Sequence, residues 1–195
     1  RDRRRGNNTS PALFLDRDGV VIKDTQYISK PENVILEKGI LNLLNAASSS
    51  GFKIIIITNQ SGISRGFYGW NEYMKITEKI LELIGNDILF DGIYANGYSS
   101  ISDNNWRKPN IGMILNAKYD FNIDLQKSIL IGDRLSDIKT GYDSGIKKLF
   151  HVMTGHGRKE RKYFDSFLSK KRICILKKDD LFLESNKKSI SLTFI

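Results

Sequence analysis

The chain holds one cysteine, Cys174, and two histidines, His151 and His156, in 195 residues. A single cysteine excludes an intrachain disulfide and any multi-cysteine zinc site. Cys174 lies in Arg172-Ile173-Cys174-Ile175-Leu176, where it reads as a small core residue and not as a nucleophile. A reducing cytoplasm is the expected setting. No apolar run exceeds about five residues, so no membrane span is expected. The basic start is not followed by an apolar stretch, so no secretory leader is expected either. The chain begins at Arg1 and not at Met, and we expect further residues to precede it in the natural protein. No internal repeat is visible.

The middle of the chain also lacks an excess of either charge. The net charge is +9 overall, yet residues 6–155 carry sixteen basic and sixteen acidic groups. The surplus sits at the flanks: four Arg against one Asp in residues 1–5, and eleven Lys/Arg against five Asp/Glu in residues 156–188. Basic ends are more often solvated tails than binding surfaces, so a nucleic-acid partner is not expected. The 40% hydrophobic content is ordinary for a soluble domain with a sizeable core.

What is present begins with Ala12-Leu13-Phe14-Leu15-Asp16-Arg17-Asp18-Gly19-Val20. The apolar run reads as a buried strand. Two carboxylates at its end need compensation, because desolvating an unpaired charge is expensive. A hard divalent cation would supply it. One carboxylate so placed could also attack phosphorus. A polar turn built on Asp-Gly explains this one segment equally well.

Two more segments have the same design. Lys53-Ile54-Ile55-Ile56-Ile57 ends in Thr58-Asn59-Gln60-Ser61-Gly62, and Ser128-Ile129-Leu130-Ile131-Gly132 ends in Asp133, with Asp137 four residues on. Between them, Arg107-Lys108-Pro109 precedes a helical pattern. In open parallel α/β sheets the ligand crevice lies at the carboxyl ends of the strands. Four such coincidences of residue type and position are hard to assign to turn chemistry.

The spacing predicts strands at 12–15, 53–57, 91–94, 128–132 and 147–152, with a possible edge strand at 172–176. Helices are expected from Ile40 to Gly51, from a cap at Asn71 through Leu83, from Pro109 to about Tyr119, and from Leu135 to Ser144 with Gly145 as C-cap. Alternating strands and helices imply an α/β fold, a Rossmann-like doubly wound parallel sheet. Residues 1–10 read as a basic mobile segment, 11–170 as the domain, and 171–195 as a C-terminal extension. Residues 20–38 read as a flap over the crevice. No insertion is long enough for a large cap domain.

The residues Asp16-Arg17-Asp18-Gly19, Thr58, Lys108 and Gly132-Asp133-Arg134-Leu135-Ser136-Asp137 together resemble the haloacid dehalogenase (HAD) superfamily of phosphotransferases. The resemblance implies a HAD-like phosphatase. Asp16 would be the nucleophile that becomes an aspartyl-phosphate, and Asp18 the acid/base. Thr58 and Lys108 would hold the phosphoryl oxygens. Mg²⁺ would be bound by Asp16, the Asp18 backbone oxygen and Asp133. Asp137 is left open between a water-mediated ligand, an orienter of Lys108 and a bystander, with an indirect role favoured. Val20 stands where the superfamily often has Thr.

A finer resemblance covers residues 12–165. Leu15 to Val20, the flap around Tyr27, Thr58 to Gly66, Arg107-Lys108-Pro109 and Thr154-Gly155-His156-Gly157 are similar to the histidinol-phosphatase and D-glycero-D-manno-heptose 1,7-bisphosphate phosphatase branch. That implies a cytoplasmic, monomeric enzyme for a small-molecule sugar phosphate, a heptose 1,7-bisphosphate foremost and histidinol phosphate as an alternative, with no membrane and no nucleic-acid partner. Asp24, Thr25, Gln26, Tyr27, Thr58, Asn59, Gln60 and Ser61 would line the substrate, and Arg107 and Arg134 would meet a distal phosphate or sugar. The branch commonly carries a Cys/His zinc loop before its Arg-Lys-Pro. Residues 95–106 contain no Cys and no His, so zinc cannot hold this loop. His151 and His156 are expected to be too few and too far apart to replace it. Two other readings stay open: a polynucleotide 3′-phosphatase, which shares a similar Thr-Asn-Gln stretch, and a catalytically degenerate scaffold. The intact acidic set argues against the scaffold.

Overall fold

The computed structural model describes residues 9–99, 106–164 and 176–178. The expectations for residues 1–8, for Cys174 and for most of the C-terminal extension lie outside them. Six parallel strands form one sheet: β1 (Ala12–Leu15), β2 (Lys53–Asn59), β3 (Gly92–Asn96), β4 (Ile129–Gly132), β5 (Lys148–Val152) and β6 (Leu176–Lys178). Their order across the sheet is β3-β2-β1-β4-β5-β6, every neighbouring pair parallel. The chain winds outward from β1 to β3, then returns to the other side of β1 for β4. That reversal places the topological switch point between β1 and β4.

Side-chain alternation makes the sheet two-faced. Leu13, Leu15, Ile54, Ile56, Ile129, Ile131, Phe150 and Val152 point into one core. Ala12, Phe14, Ile55, Ile57, Leu130 and Leu149 point into the other. Both faces are covered, which is why these strands read as unbroken apolar runs. The first core is closed by α1 (Ile40–Ser49) and by α3 (Trp70–Ile84), which delivers Tyr73, Ile76, Ile80 and Ile84 as its buried stripe. The four-residue α2 (Ser61–Ser64) lies between β2 and α3. The second core is closed by α4 (Gly112–Phe121) and α5 (Leu135–Asp143). A short α6 (Gly157–Glu160) follows β5. This is the doubly wound arrangement the alternation implied.

Of the boundaries that differ from expectation, three lie at helix ends. α3 is capped at Gly69 and not at Asn71, because the Glu72 carboxylate reaches back to the Gly69 N–H at 2.8 Å. Pro109 stands three residues ahead of α4 and not in its first turn, since residues 109–111 turn before the helix starts at Gly112. The α5 C-cap is Ser144, with Gly145 beyond it at φ +90°.

Residues 20–38 are anchored from below. Val20, Val21, Ile22, Ile28 and Val34 belong to the first core, and Ile22 bridges Leu36 antiparallel. A single 3-10 turn spans Pro31–Asn33. The flap is therefore a packed strap and not a free loop. Among the described residues no helix is long and apolar enough to cross a membrane.

Candidate active site

Asp16 follows β1, Thr58 and Asn59 end β2, and Asp133 follows β4. Because β1 pairs with both β2 and β4, all three chain exits meet at one sheet edge. There they border a cavity of about 500 Å³. Its lining includes Asp16, Asp18, Asp24, Gln60, Arg107, Lys108, Arg134 and His156.

Asp16 is almost wholly buried, and its Oδ1 takes two donors, the Arg17 N–H at 2.8 Å and the Lys108 ammonium at 2.9 Å. Among the described residues no donor reaches Oδ2. Burial pushes the carboxyl up from 3.8 to about 6; Lys108 pulls it down, and Asp137 and Asp18 push it up again.

Lys108 is equally buried. Its ammonium reaches Asp16 Oδ1 at 2.9 Å, Asp137 Oδ1 at 2.6 Å and the Ile57 carbonyl at 2.9 Å. Two ion pairs and one hydrogen bond thus hold the ammonium in place. Burial alone would lower its pKa, but Asp137 and Asp16 more than offset that, and the net direction is upward. Asn59 fixes the backbone of the same residue: its amide donates to the Lys108 carbonyl at 3.0 Å and accepts from the Lys108 N–H at 3.0 Å.

Asp137 turns inward for a local reason. α5 starts directly after the strand exit, and the Asp137 carboxylate caps it by accepting the Arg134 N–H at 2.9 Å. A side chain on Gly132 would strike Asp137. The capping oxygen leaves the other one facing Lys108 at 2.6 Å.

Asp133 is completely buried, and its Oδ1 has no hydrogen-bond partner. Its Oδ2 accepts the His156 N–H at 2.7 Å. Burial raises its pKa well above 3.8, and Asp16 and Asp137 add to the rise. Oxygens of Asp16, Asp133 and Asp137 lie within 4.8 Å of one another. Three buried carboxylates against one ammonium, with Asp133 Oδ1 unpaired and Asp137 Oδ1 held only by its ion pair, fit a hard divalent cation well. Asp18, expected to give only its backbone oxygen, contributes no carboxylate to this cluster.

The carboxylate of Asp18 is held elsewhere. Arg17 donates to Oδ1 at 3.0 Å and to Oδ2 at 3.2 Å, and the Gln60 amide donates to Oδ2 at 2.8 Å. Thr58 is completely buried, and its hydroxyl accepts from Gln60 at 2.7 Å. Asp24, Gln26, Tyr27, Asn59 and Ser61 line the cavity, while Thr25 is not among its lining residues.

Three groups went unread in the sequence. His156 sits in the cavity with Nδ1 2.8 Å from Asp24 Oδ2 and Arg134 Nη2 beside its ring at 2.9 and 3.0 Å. By sequence it reads only as a candidate zinc ligand, and the fold brings it in from the chain that follows β5. Arg65 also lines the cavity and donates to the Tyr27 hydroxyl at 2.6 Å. Arg17, between the two aspartates, is 2% exposed and turned inward over the Tyr73 ring at 5.3 Å. Gln26 and Tyr27 both adopt positive φ, +61° and +51°, a conformation that costs energy outside glycine. Phe67 packs on Tyr27 at 4.6 Å and helps hold it there.

An acidic set at the β1–β4 switch point, a lysine locked beneath it and an arginine-lined mouth are the parts of a phosphatase of the HAD superfamily. The family model for polynucleotide kinase 3 phosphatase matches residues 12–166. The D-glycero-beta-D-manno-heptose-1,7-bisphosphate 7-phosphatase of Helicobacter pylori is 39% identical over 142 residues, spanning 72% of this chain and 82% of that one. The alpha-anomer 7-phosphatase of Campylobacter jejuni is 37% identical over 163 residues, spanning 83% and 92%. Among solved structures, the D,D-heptose 1,7-bisphosphate phosphatase of B. bronchiseptica, complexed with magnesium and phosphate, has a TM-score of 0.75 at 25% identity. The match covers 88% of this chain and 93% of that one. A HAD-like phosphatase of Mesorhizobium loti has a TM-score of 0.72 at 35% identity, covering 75% and 74%. The chain belongs to the D,D-heptose 1,7-bisphosphate phosphatase family of the HAD superfamily.

Proposed function

We propose that this phosphatase is Mg²⁺-dependent and removes the 7-phosphate of D-glycero-D-manno-heptose 1,7-bisphosphate through an aspartyl-phosphate on Asp16. The observation that carries the choice of a bisphosphate is the clustering of Arg65, Arg107 and Arg134 at the mouth of the cavity that holds Asp16. Partial burial lowers the Arg107 pKa, and Arg65 and Arg134 lower it further, so the three guanidinium groups share one field. Carboxylates of Asp133 and Asp16 offset the charge of Arg134, whereas Arg107 is left open to an anion, and the guanidinium fork suits phosphate oxygens.

In the first step Asp16 Oδ2, the oxygen without a donor, attacks phosphorus in line. The bond from phosphorus to the sugar oxygen breaks, and Asp18 gives that oxygen a proton. In the second step Asp18 takes a proton from water, whose oxygen attacks phosphorus and frees Asp16. Thr58 and Lys108 steady the oxygens that gain charge. Asp16, Asp133 and the Asp18 backbone oxygen would hold Mg²⁺, which neutralises charge on the transferring group.

A phosphate-release screen tests the substrate. Heptose 1,7-bisphosphate of either anomer should exceed histidinol phosphate and 3′-phosphorylated DNA in kcat/KM. Preference for the DNA would favour a polynucleotide 3′-phosphatase instead. Asp16→Asn should abolish release on every substrate.

A further inference from the structure

We infer that Gln60 is a positioning residue that fixes the acid/base Asp18 and the hydroxyl of Thr58 relative to each other. The inference rests on the acid/base role proposed for Asp18. By sequence Gln60 reads as a substrate-lining residue. In the fold it is 2% exposed, and its amide is fully committed to protein groups. The amide nitrogen donates to Asp18 Oδ2 at 2.8 Å and to Thr58 Oγ1 at 2.7 Å. The amide oxygen accepts from Arg17 Nη2 at 2.9 Å and from the Tyr68 hydroxyl at 2.5 Å. Two donations and two acceptances exhaust what an amide can do. No capacity is left for a ligand.

The amide orientation follows from its neighbours. Its nitrogen faces a carboxylate and its oxygen faces a guanidinium, and the reverse would set like partners together. The consequence for Thr58 is specific. Its oxygen accepts from Gln60, so its single proton is free to donate elsewhere. The consequence for Asp18 is a fixed direction of approach. Arg17 grips it from its own loop, while Gln60 grips it from the end of β2. The main chain holds Gln60 as well, through its N–H on the Asn96 carbonyl at 2.7 Å. A buried amide with all four of its hydrogen bonds made is stiffly held, and stiffness is what an acid/base group needs from its support.

Gln60→Met keeps the length and apolar body of the side chain but makes none of these four bonds. The test uses p-nitrophenyl phosphate, whose leaving group departs without a proton, in rapid-mixing and steady-state kinetics. Gln60→Met should leave the p-nitrophenolate burst rate within about threefold, while steady-state turnover falls about thirty- to a hundredfold and KM falls with it, because kcat/KM reports the unchanged phosphorylation step. Phosphorylated protein should accumulate, because water is no longer activated. Equal losses in burst and steady state would mark a merely structural role and overturn the inference, as would unchanged kinetics. Asp18→Asn run in parallel separates the two ideas. If it turns over normally, the acid/base reading fails. If it shows the burst-only pattern and Gln60→Met does not, the inference about Gln60 fails alone. Should Gln60→Met not fold, Tyr68→Phe decides, with the same pattern expected at about three- to tenfold and an unchanged ratio overturning the inference.

Discussion

Lys108 Nζ and Asp137 Oδ1 lie 2.6 Å apart, and both side chains are all but sealed from solvent. The pair is built by two unrelated pieces of local structure. Asn59 clamps the backbone of the lysine, and the first turn of α5 turns the aspartate inward. Removing one partner of a buried ion pair leaves an uncompensated charge, which typically costs about 3–5 kcal/mol. Lys108→Met should destabilise the metal-free protein by about that much, because it strands both Asp16 and Asp137. Asp137→Asn should cost less, since Lys108 keeps Asp16 and the Ile57 carbonyl. Urea denaturation in chelator checks both values, and a larger loss for Asp137→Asn would contradict the assignment.

The acidic cluster sets a pH dependence. Asp16 rises from 3.8 to about 6 on folding, through burial above all, and Asp133 moves the same way. The folded chain therefore binds these protons more tightly than the unfolded chain. Their contribution to stability is full below pH 3.8 and is lost as pH rises through about 6. A bound divalent cation favours the ionised forms and reverses the loss. Mg²⁺ should thus raise the melting temperature more at about pH 7.5 than at about pH 5. Thermal melts with Mg²⁺ or chelator at both pH values check this, and an equal shift at the two would count against a cation on these carboxylates.

Much of this site was readable because each strand exit announces itself. Asp16, Thr58 and Asp133 each close an apolar run, so their convergence follows from the parallel sheet alone. Lys108 was readable only through its neighbours Arg107 and Pro109. What escaped was tertiary. Nothing near Gln60 in the chain signals that its partners are Asp18, Arg17 and Tyr68, forty-two and forty-three residues before it and eight after. His156 looked like an isolated histidine because its partners Asp24 and Asp133 come from two other loops. The α3 cap moved to Gly69 because a carboxylate at Glu72 outcompetes the side chain of Asn71 for that role.

Arg107 offers the sharpest test of the bisphosphate reading. It stands beside the lysine at the reacting centre, and among the described residues its guanidinium donates to the Tyr98 carbonyl at 3.2 Å while it lines the cavity. Loss of one charge-assisted phosphate contact costs about 1.5–3 kcal/mol, roughly ten- to a hundredfold. Arg107→Ala should lower kcat/KM for a heptose bisphosphate by about that factor and leave an aryl phosphate nearly unchanged. Equal losses on both would place Arg107 at the transferred phosphate and remove the main support for a second one.

Gly19 provides a last test, directed at the metal site and independent of substrate. It adopts φ +83°, and a β-carbon there would come within 2.6 Å of Asp133 Oδ2. The space is tight because Gly155 crosses directly beside it, its Cα 3.0 Å from that same point. Gly19→Ala therefore acts twice. The left-handed conformation costs a non-glycine residue roughly 1–2 kcal/mol, and the new methyl group pushes on the carboxylate that has one oxygen unpartnered. Displacing a ligand or its support typically weakens metal binding about ten- to a hundredfold. We expect Gly19→Ala to raise the Mg²⁺ concentration needed for half-maximal activity by about that factor. Gly66→Ala, at φ +71° with open space around it, should lose stability alone and keep its Mg²⁺ requirement. Titration of both variants with Mg²⁺ decides the matter. A parallel shift in the two would mean that backbone strain, and not contact with Asp133, is what the Gly19 substitution reports.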